Sequence, residues 1–577
     1  MTPRRLLFLF LFSLAFLRLL IIGLFELSPD EAYYYLWSLH PDLSYYSKGP
    51  GVAATIWLST HVFGPTEFGI RFFSPLLSLV TSLLMFRLAR RMFSEEIAIW
   101  TTIALSCVPI YHVGGLLMTI DPLSMCFWMA ALYTCWRALE RSPEFSMWWP
   151  ATGALIGVGF LCKWTNAMQL LSILLLLAFT PKYRRDLRRA GFWSMLAAFA
   201  PFTIPPIYWN SHNEWITLTH LGARAGMEKA FRPDPLEFLK FLCGQFGVYS
   251  PLIFAAMLAA IWMNRHRARV HLKPRFLLAF ALPILILYFI LSLREAGEAN
   301  WTAPATLSLG LLTVATFHEL ASQREWVRKT AAAGLVMGAI MSFLALDTDL
   351  LRTLKLPIPY ENDPSARLRG WRTTAEITDE FRKRFETQTG TPVFLIANKY
   401  QTASSLAYYM KNGRAEAPGH PSVYIPESQF LENQFSFWPR YDEMTDVTDV
   451  ARDFLRTSPP DSPFHRRVAD ALDHLGKEAA APPEQAIEAR RMLVRELHQA
   501  LPDLPLDESY VEEAGLSLFA GRNALYITDR VEERAPSTIK GGFERVEMVG
   551  CIDVSRRSLP LRQIRIFACY NYHGISL

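Results

Sequence analysis

Charge is what this chain has least of along its first 347 residues. Across all 577 residues only 19% are charged, 51% are hydrophobic and the mean hydropathy is +0.15. A chain this long and this apolar is excluded as a single soluble domain. The formal charge of +5 is modest, and no basic tract resembles a nucleic-acid-binding arm. Cysteine is sparse as well, with seven in all. Five of them (Cys107, Cys126, Cys135, Cys162, Cys243) lie in apolar segments without metal-ligand spacing and read as small core residues. Cys551 and Cys569 stand alone in the tail, where a disulfide is left open because sequence cannot show proximity. Also missing is a small-residue cleavage site after the first apolar run. That run follows Arg4-Arg5 and is longer than a signal-peptide core, so it reads as a retained helix.

What is there is a series of apolar segments separated by polar loops. Spans are predicted at 6–25, 69–86, 97–110, 122–133, 147–161, 166–179, 192–208, 238–262, 276–293, 304–317 and 330–346. Basic clusters follow every second one: Arg87, Arg90 and Arg91, then Arg137 and Arg141, then Lys182 to Arg189, then Arg265 to Lys273, then Arg324 to Lys329. By the positive-inside rule these flanks are cytoplasmic, so about eleven spans put the N-terminus inside and the tail outside. The prediction is a transmembrane domain over 1–347, with a long first outer loop at 27–66. A soluble α/β domain over 348–577 follows, because strand-like runs at 392–396, 523–528 and 562–568 alternate there with helical stretches. Residues 458–512, charged, Ala-rich and broken by Pro, read as a helical insertion or a mobile arm.

The polar hardware concentrates in the outward loops. Residues 28–51 open with Ser28-Pro29-Asp30-Glu31 and continue through Tyr33, Tyr34, Tyr35 and Trp37 to Tyr45, Tyr46 and Lys48. An acid pair, interface-type rings and a cation at one membrane face fit a lipid-linked anionic substrate. A plainer reading stands beside it: Ser-Pro-Asp-Glu is also good grammar for a helix start. Further candidates are Asp121, Lys163, His212, His220, Arg224, Arg294, Glu295 and Glu298. Ionisable groups gathered on one side point to a site there, whereas a transporter more often places them mid-span.

Several motifs resemble those of the GT-C glycosyltransferases, in particular the bacterial group of protein O-mannosyltransferases and lipid A aminoarabinose transferases. They are Asp30-Glu31 opening the loop, Tyr45-Tyr46-Ser47-Lys48-Gly49-Pro50 closing it and Phe63-Gly64 ending the next apolar segment. Ile120-Asp121-Pro122, Gly157-Val-Gly-Phe-Leu-Cys-Lys163, the 208–224 loop with its His and Arg, and Glu298-Ala-Asn300-Trp301-Thr-Ala-Pro304 continue the likeness in order. In the tail, residues 363–371, Tyr400-Gln401 and 433–438 look familial and read as scaffold.

The resemblance implies a polytopic α-helical membrane protein with a C-terminal periplasmic α/β domain, in a bacterial inner membrane. It also implies an inverting enzyme that moves a sugar from a polyprenyl phosphate to a lipid A, glycan or protein acceptor. Asp30, Glu31 and Asp121 would then serve catalysis. Lys48, Lys163, Arg224 and His220 would hold the donor phosphate, and Tyr34, Tyr45, Tyr46, Asn300 and Trp301 the sugar or acceptor. For Asp121 an N-cap role, and for Lys163 an interfacial anchor, are the alternatives. No cofactor is implied with certainty. A divalent cation is left open, but Ser47 stands where the aminoarabinose-transferase pattern has an acidic ligand. Two rival readings remain at this level: a lipid-linked glycan transporter and a polysaccharide ligase with a diphosphate donor.

Overall fold

The computed structural model describes residues 2–224, 226–227, 232–353, 356, 359–360, 363–411, 413–417, 419–428, 430–443, 447–478, 483–502, 518–530, 534–556 and 558–574. They form two compact units. The first comprises Met1–Phe25, Tyr34–Ile358 and Asp363–Ser365, and the second Glu26–Tyr33, Pro359–Asn362 and Ala366–Leu577.

The first unit is helical. Its opening helix, Pro3–Ile21, begins at Thr2, whose hydroxyl accepts the Arg5 N–H, with Pro3 where its missing donor costs nothing. Leu7, Leu11, Ala15 and Arg18 recur every three or four residues and form its buried stripe, while Leu9, Phe12 and Phe16 face outward. Arg71 Nη1 closes the end of this region by donating to the Ile22 and Phe25 carbonyls, at 2.9 and 2.8 Å.

By length and composition, helices Glu67–Met92, Ala190–Ser211, Leu272–Leu291 and Glu325–Leu346 are long and apolar enough to cross a membrane. Gly51–Phe63, Trp148–Cys162 and Trp164–Ala178 are apolar but shorter. The Ile120–Arg141 and Ala303–Gln323 helices are buried along most of their length and form the interior of the bundle. The segment expected as one span over 238–262 is instead two helices, Pro235–Tyr249 and Pro251–Asn264, bent by 110°. Pro251 supplies no N–H to the preceding turn and disfavours helical backbone at Ser250, which breaks the helix at φ +71° and ψ 136°.

The second unit holds a four-stranded sheet in the order β1-β2-β4-β3, from β1 Val393–Ala397, β2 Asn523–Thr528, β3 Phe543–Arg556 and β4 Leu559–Tyr572. β1 runs parallel to β2, and the other pairs are antiparallel. All five β1 residues are buried, the pattern of a strand covered on both faces. β3 escaped the sequence reading because its residues are largely exposed, with Glu and Arg interrupting any apolar alternation. The 458–512 stretch is no arm where described: helices Pro463–Glu478 and Pro483–Ala500 put Val468, Ala471, Leu493, Val494 and Leu497 into the core. Its residues 503–512 lie outside the described ones.

The disulfide left open between Cys551 and Cys569 does not form. Cys551 is opposite Arg565 and Cys569 opposite Val546, so the two are out of register by four residues, about 13 Å along a strand. That exceeds disulfide reach.

Helices Trp148–Cys162 and Ala190–Phe199 cross backbone to backbone at Gly153, where an added Cβ would stand 1.9 Å from the Met195 carbonyl oxygen. Neither backbone can yield without shifting a helix. Gly153→Ala is therefore expected to destabilise the protein by about 1–3 kcal/mol, read as a lower midpoint of thermal unfolding in detergent. An unchanged midpoint would show that the crossing is looser than this.

Candidate functional site

The first turn of helix Pro29–Leu39 is built by a reciprocal cap. The Glu31 Oε2 accepts from the Ser28 N–H (2.9 Å) and hydroxyl (3.0 Å), and the Glu31 N–H reaches the Ser28 Oγ at 3.3 Å. Glu31 is fully buried in this box, whereas Asp30 keeps part of its surface open. Of the acid pair, Asp30 is thus the one left partly exposed. The segment Glu26–Tyr33 is fastened to the second unit through three backbone-to-side-chain bonds. Leu27 N–H donates to the Tyr409 hydroxyl (2.6 Å), Trp371 N–H to Glu26 Oε2 (2.6 Å) and Gln434 N–H to the Tyr33 hydroxyl (2.6 Å).

In the first unit the loop continues into a tight turn in which Tyr45 N–H donates to the Lys48 carbonyl at 2.9 Å. Tyr45 was expected to bind sugar. Its ring instead stacks on Trp37 at 4.5 Å, and its hydroxyl donates to the Trp37 and His40 carbonyls. It is 1% exposed, and burial pushes its phenol up to about 12, so it acts as scaffold. Tyr34 packs edge-on against the same Trp37. Gly49 and Gly51 let this strand lie on the end of the Trp148–Cys162 helix. A Cβ on Gly49 would stand 2.3 Å from the Leu161 carbonyl oxygen, and one on Gly51 2.5 Å from Cys162 Sγ. Lys48 is thereby held beside the chain segment that carries Lys163.

Asp121 is not the cap of its helix; Thr119 is, accepting the Asp121 N–H at 3.3 Å. The Asp121 carboxylate is left for two other partners. Lys163 Nζ donates to Oδ1 at 2.7 Å, and Asn300 Nδ2 donates to Oδ2 at 2.6 Å. Lys163 is 6% exposed, so it neither snorkels to an interface nor presents a free ammonium; it is half of a buried ion pair. Nearby, Asn166 exchanges hydrogen bonds with the Ser124 hydroxyl and carbonyl. Gln245, Thr302 and Tyr249 form a buried chain, with Thr302 donating to Gln245 Oε1 at 2.7 Å and Tyr249 paired with Thr302 at 2.8 Å. Sequence reasoning missed this chain because its members sit on apolar segments with nothing to mark them as neighbours.

Helix Ile216–Arg224 carries His220 and Arg224 four residues apart, on one face. The His220 ring lies 4.6 Å from that of Tyr46. Arg224 lies 5.4 Å over the Trp301 ring and reaches Glu298 at 3.4 Å. Burial first, then the charges of Lys48 and Arg224, lowers His220 to about 4. The imidazole is therefore neutral at pH 7, and Lys48 and Arg224 carry the positive charge of this face. A pKa below the unfolded value makes the folded state lose stability as pH falls from about 6.5 towards 4. His212 is exposed and bonds only to its own turn, at Tyr208 and Ser211. Arg294 holds the Gly226 carbonyl at 3.1 Å. Trp209 Nε1 donates to Asp42 at 2.7 Å, tying the first loop to a later helix.

Among the described residues no three His, Cys, Asp or Glu side chains converge as metal ligands. Both oxygens of Asp121 are already engaged, and Glu298 reaches Arg224.

The profile of the dolichyl-phosphate-mannose-protein mannosyltransferase family matches residues 47–209. The chain is 25% identical over 409 residues to the lipid A galacturonosyltransferase RgtD of Rhizobium johnstonii, covering 70% of this chain and 82% of the relative. It is also 25% identical over 338 residues to the undecaprenyl phosphate-α-4-amino-4-deoxy-L-arabinose arabinosyl transferase of Pseudomonas paraeruginosa, covering 56% and 58%. In fold it is similar to ArnT from Cupriavidus metallidurans in the apo state, with TM-score 0.54, 15% identity and 98% of both chains covered. The same protein bound to undecaprenyl phosphate superposes with TM-score 0.51, at 15% identity and 97% of both chains.

Lys163→Met strands a buried carboxylate and is expected to cost about 3–5 kcal/mol, whereas Asp121→Asn with Lys163→Met recovers most of that loss. Chemical or thermal unfolding of the single and double variants checks it. Additive losses would mean that the two side chains act independently.

Proposed function

We propose that this chain, which shares its fold and a central sequence block with the GT-C glycosyltransferases, moves one sugar from a polyprenyl phosphate to a lipid A-type acceptor. Its outer loops and C-terminal domain work on the periplasmic face of a bacterial inner membrane. The observation that carries the reading is the face of helix Ile216–Arg224. There His220 and Arg224 meet the rings of Tyr46 and Trp301, with Lys48 adding its charge to that of Arg224. Cations beside aromatic rings are what a sugar phosphate requires: the rings cover the sugar and the cations meet the phosphate. The relatives support the substrate class, since one acts on lipid A by its name and a fold neighbour was captured with undecaprenyl phosphate.

In an inverting transfer the acceptor oxygen attacks the anomeric carbon as the bond from that carbon to the phosphate oxygen breaks. The electron pair leaves with the lipid phosphate. Lys48 and Arg224 offset the charge that grows there, the kind of preorganised electrostatic contribution that usually dominates. Asp30 takes the proton of an acceptor hydroxyl, or orients the acceptor if the acceptor is itself a phosphate. Glu31 holds the turn that presents Asp30. Asp121, Lys163 and Asn300 position the surrounding helices and contribute no free charge.

Asp30→Asn is expected to abolish transfer without loss of folding, measured as turnover with a polyprenyl-phosphate sugar beside a thermal melt. Retained turnover would remove Asp30 from the reaction. Lys48→Met and Arg224→Met are each expected to lower kcat/KM by about 10²-fold. His220→Gln, which replaces a side chain neutral at pH 7, should stay within a few-fold of wild type between pH 6 and 8. Mass spectrometry of lipid extracts and lipopolysaccharide from cells lacking the gene should show one glycosyl unit lost and its polyprenyl-phosphate donor accumulated. Unchanged glycans would favour a transporter.

A further inference from the structure

The soluble unit contains a cavity of about 770 Å³, a size typical of small-molecule sites. It opens at the carboxyl ends of the parallel strands. β1 ends at Ala397 and runs on through Asn398 and Tyr400 into the cavity wall, while β2 ends at Thr528 and runs on to Arg530. A third segment joins them there. Tyr424 pairs in parallel with Ile396, and the chain after it brings Glu427 to the wall. Where parallel strands end together and their exits diverge, a crevice is left, and this is the end at which open α/β sheets bind ligands.

The lining selects among ligand classes. Tyr400, Tyr526 and Phe430 offer ring faces, Gln401 offers an amide that donates and accepts, and Asn433, whose Oδ1 takes the Phe435 N–H, offers its Nδ2 as a donor. Glu427 lines the wall with its backbone side, while its carboxylate oxygens are buried without accessible surface toward the hydroxyls of Tyr441 and Tyr572. Amides beside ring faces suit the hydroxyls and C–H faces of a sugar. Charge then narrows the class. Lys399 is neutralised by Asp529 at 2.6 Å and one acid, Glu432, is exposed on the wall, but Arg530 and Arg534, also exposed there, outnumber it and make no ion pair among the described residues. These two guanidinium groups call for an anionic substituent. A nucleotide fits less well, because β1 turns into its helix through Asn398-Lys399-Tyr400 with no glycine to cradle a diphosphate.

The same wall touches the first loop. The Tyr400 ring packs on Tyr33 at 4.5 Å, and the Tyr33 hydroxyl accepts the N–H of Gln434, the neighbour of Asn433. Tyr33 is one helical turn after Asp30. Tyr400, Gln401 and Asn433, which read as scaffold in the sequence, therefore line a cavity that shares its wall with the turn carrying Asp30.

We propose that this cavity is a saccharide site that takes an anionic sugar of the acceptor, a subsite separate from the group that is glycosylated. Its assignment to the acceptor rests on the transferase reading; its binding of an anionic saccharide does not.

The test uses the full chain in nanodiscs, titrated by calorimetry with glucose 1-phosphate, glucuronate, glucose and inorganic phosphate. Glucose 1-phosphate or glucuronate is expected to bind saturably, and the better of the two names the anion. Glucose and inorganic phosphate should each bind at least tenfold more weakly than that ligand. Arg530→Glu with Arg534→Glu, at exposed positions, should weaken binding at least tenfold without altering thermal unfolding, and Gln401→Ala should weaken it too. The proposal is overturned if nothing binds saturably or if the variants bind like wild type. It is overturned equally if inorganic phosphate matches the sugars, or if uridine monophosphate outcompetes them. In the transfer assay the arginine double variant should raise the acceptor KM about tenfold, with kcat and donor KM unchanged. An unchanged acceptor KM would detach the cavity from the acceptor. A wild-type chain that binds the sugar but transfers nothing would sink the transferase reading and leave the saccharide site standing.

Discussion

The ion pair between Asp121 and Lys163 is the interaction on which the helical unit's arrangement depends. Each charge has been taken out of water, at a cost that only close geometry and additional hydrogen bonds offset. Here the closeness is 2.7 Å, and the second carboxylate oxygen is met by Asn300. The three residues come from the start of one buried helix, the end of the Trp148–Cys162 helix and the turn before another buried helix. Moving any of these elements would strand a charge, so the pair fixes their relative positions more sharply than apolar packing alone.

Other constraints follow from that position. Because the Lys163 segment is fixed, the glycines at 49 and 51 can bring the first loop against Leu161 and Cys162, and Lys48 with it. Because Asn300 is fixed, Trp301 beside it is held where Arg224 covers its ring. His220 on the same helix face then sits among cations, and partial burial keeps it neutral. The positive charge of the face is thus carried by Lys48 and Arg224, with Glu298 3.4 Å from Arg224.

The acid pair obeys a different constraint. Its turn is made locally by Ser28 and Glu31, and the segment around it is held within the second unit through Tyr409, Trp371 and Gln434. A domain that looks in sequence like an appendage therefore includes the segment Glu26–Tyr33. It also gives the Tyr400-Gln401 and Asn433 motifs a role in lining a cavity.

Much of this was legible before any coordinates. Apolar segments long enough to span a bilayer, three of the four strands and the clustering of polar groups in loops follow from local composition, because helix length, strand periodicity and the exclusion of charge from lipid are local rules. The capping grammar at Ser28 was legible for the same reason, and so was the order of the motifs from Asp30 to Trp301. What the sequence left undecided was every pairing across distance: whether Asp121 caps a helix or binds a lysine, whether Tyr45 meets a sugar or a tryptophan, and whether Cys551 meets Cys569. Those outcomes depend on which side chains share a buried space, and burial sets their energies by removing water from both partners at once. The sequence by itself determined the elements and the chemistry they carry. Only the tertiary structure decided which of those groups share a buried space, because burial couples side chains that lie far apart along the chain.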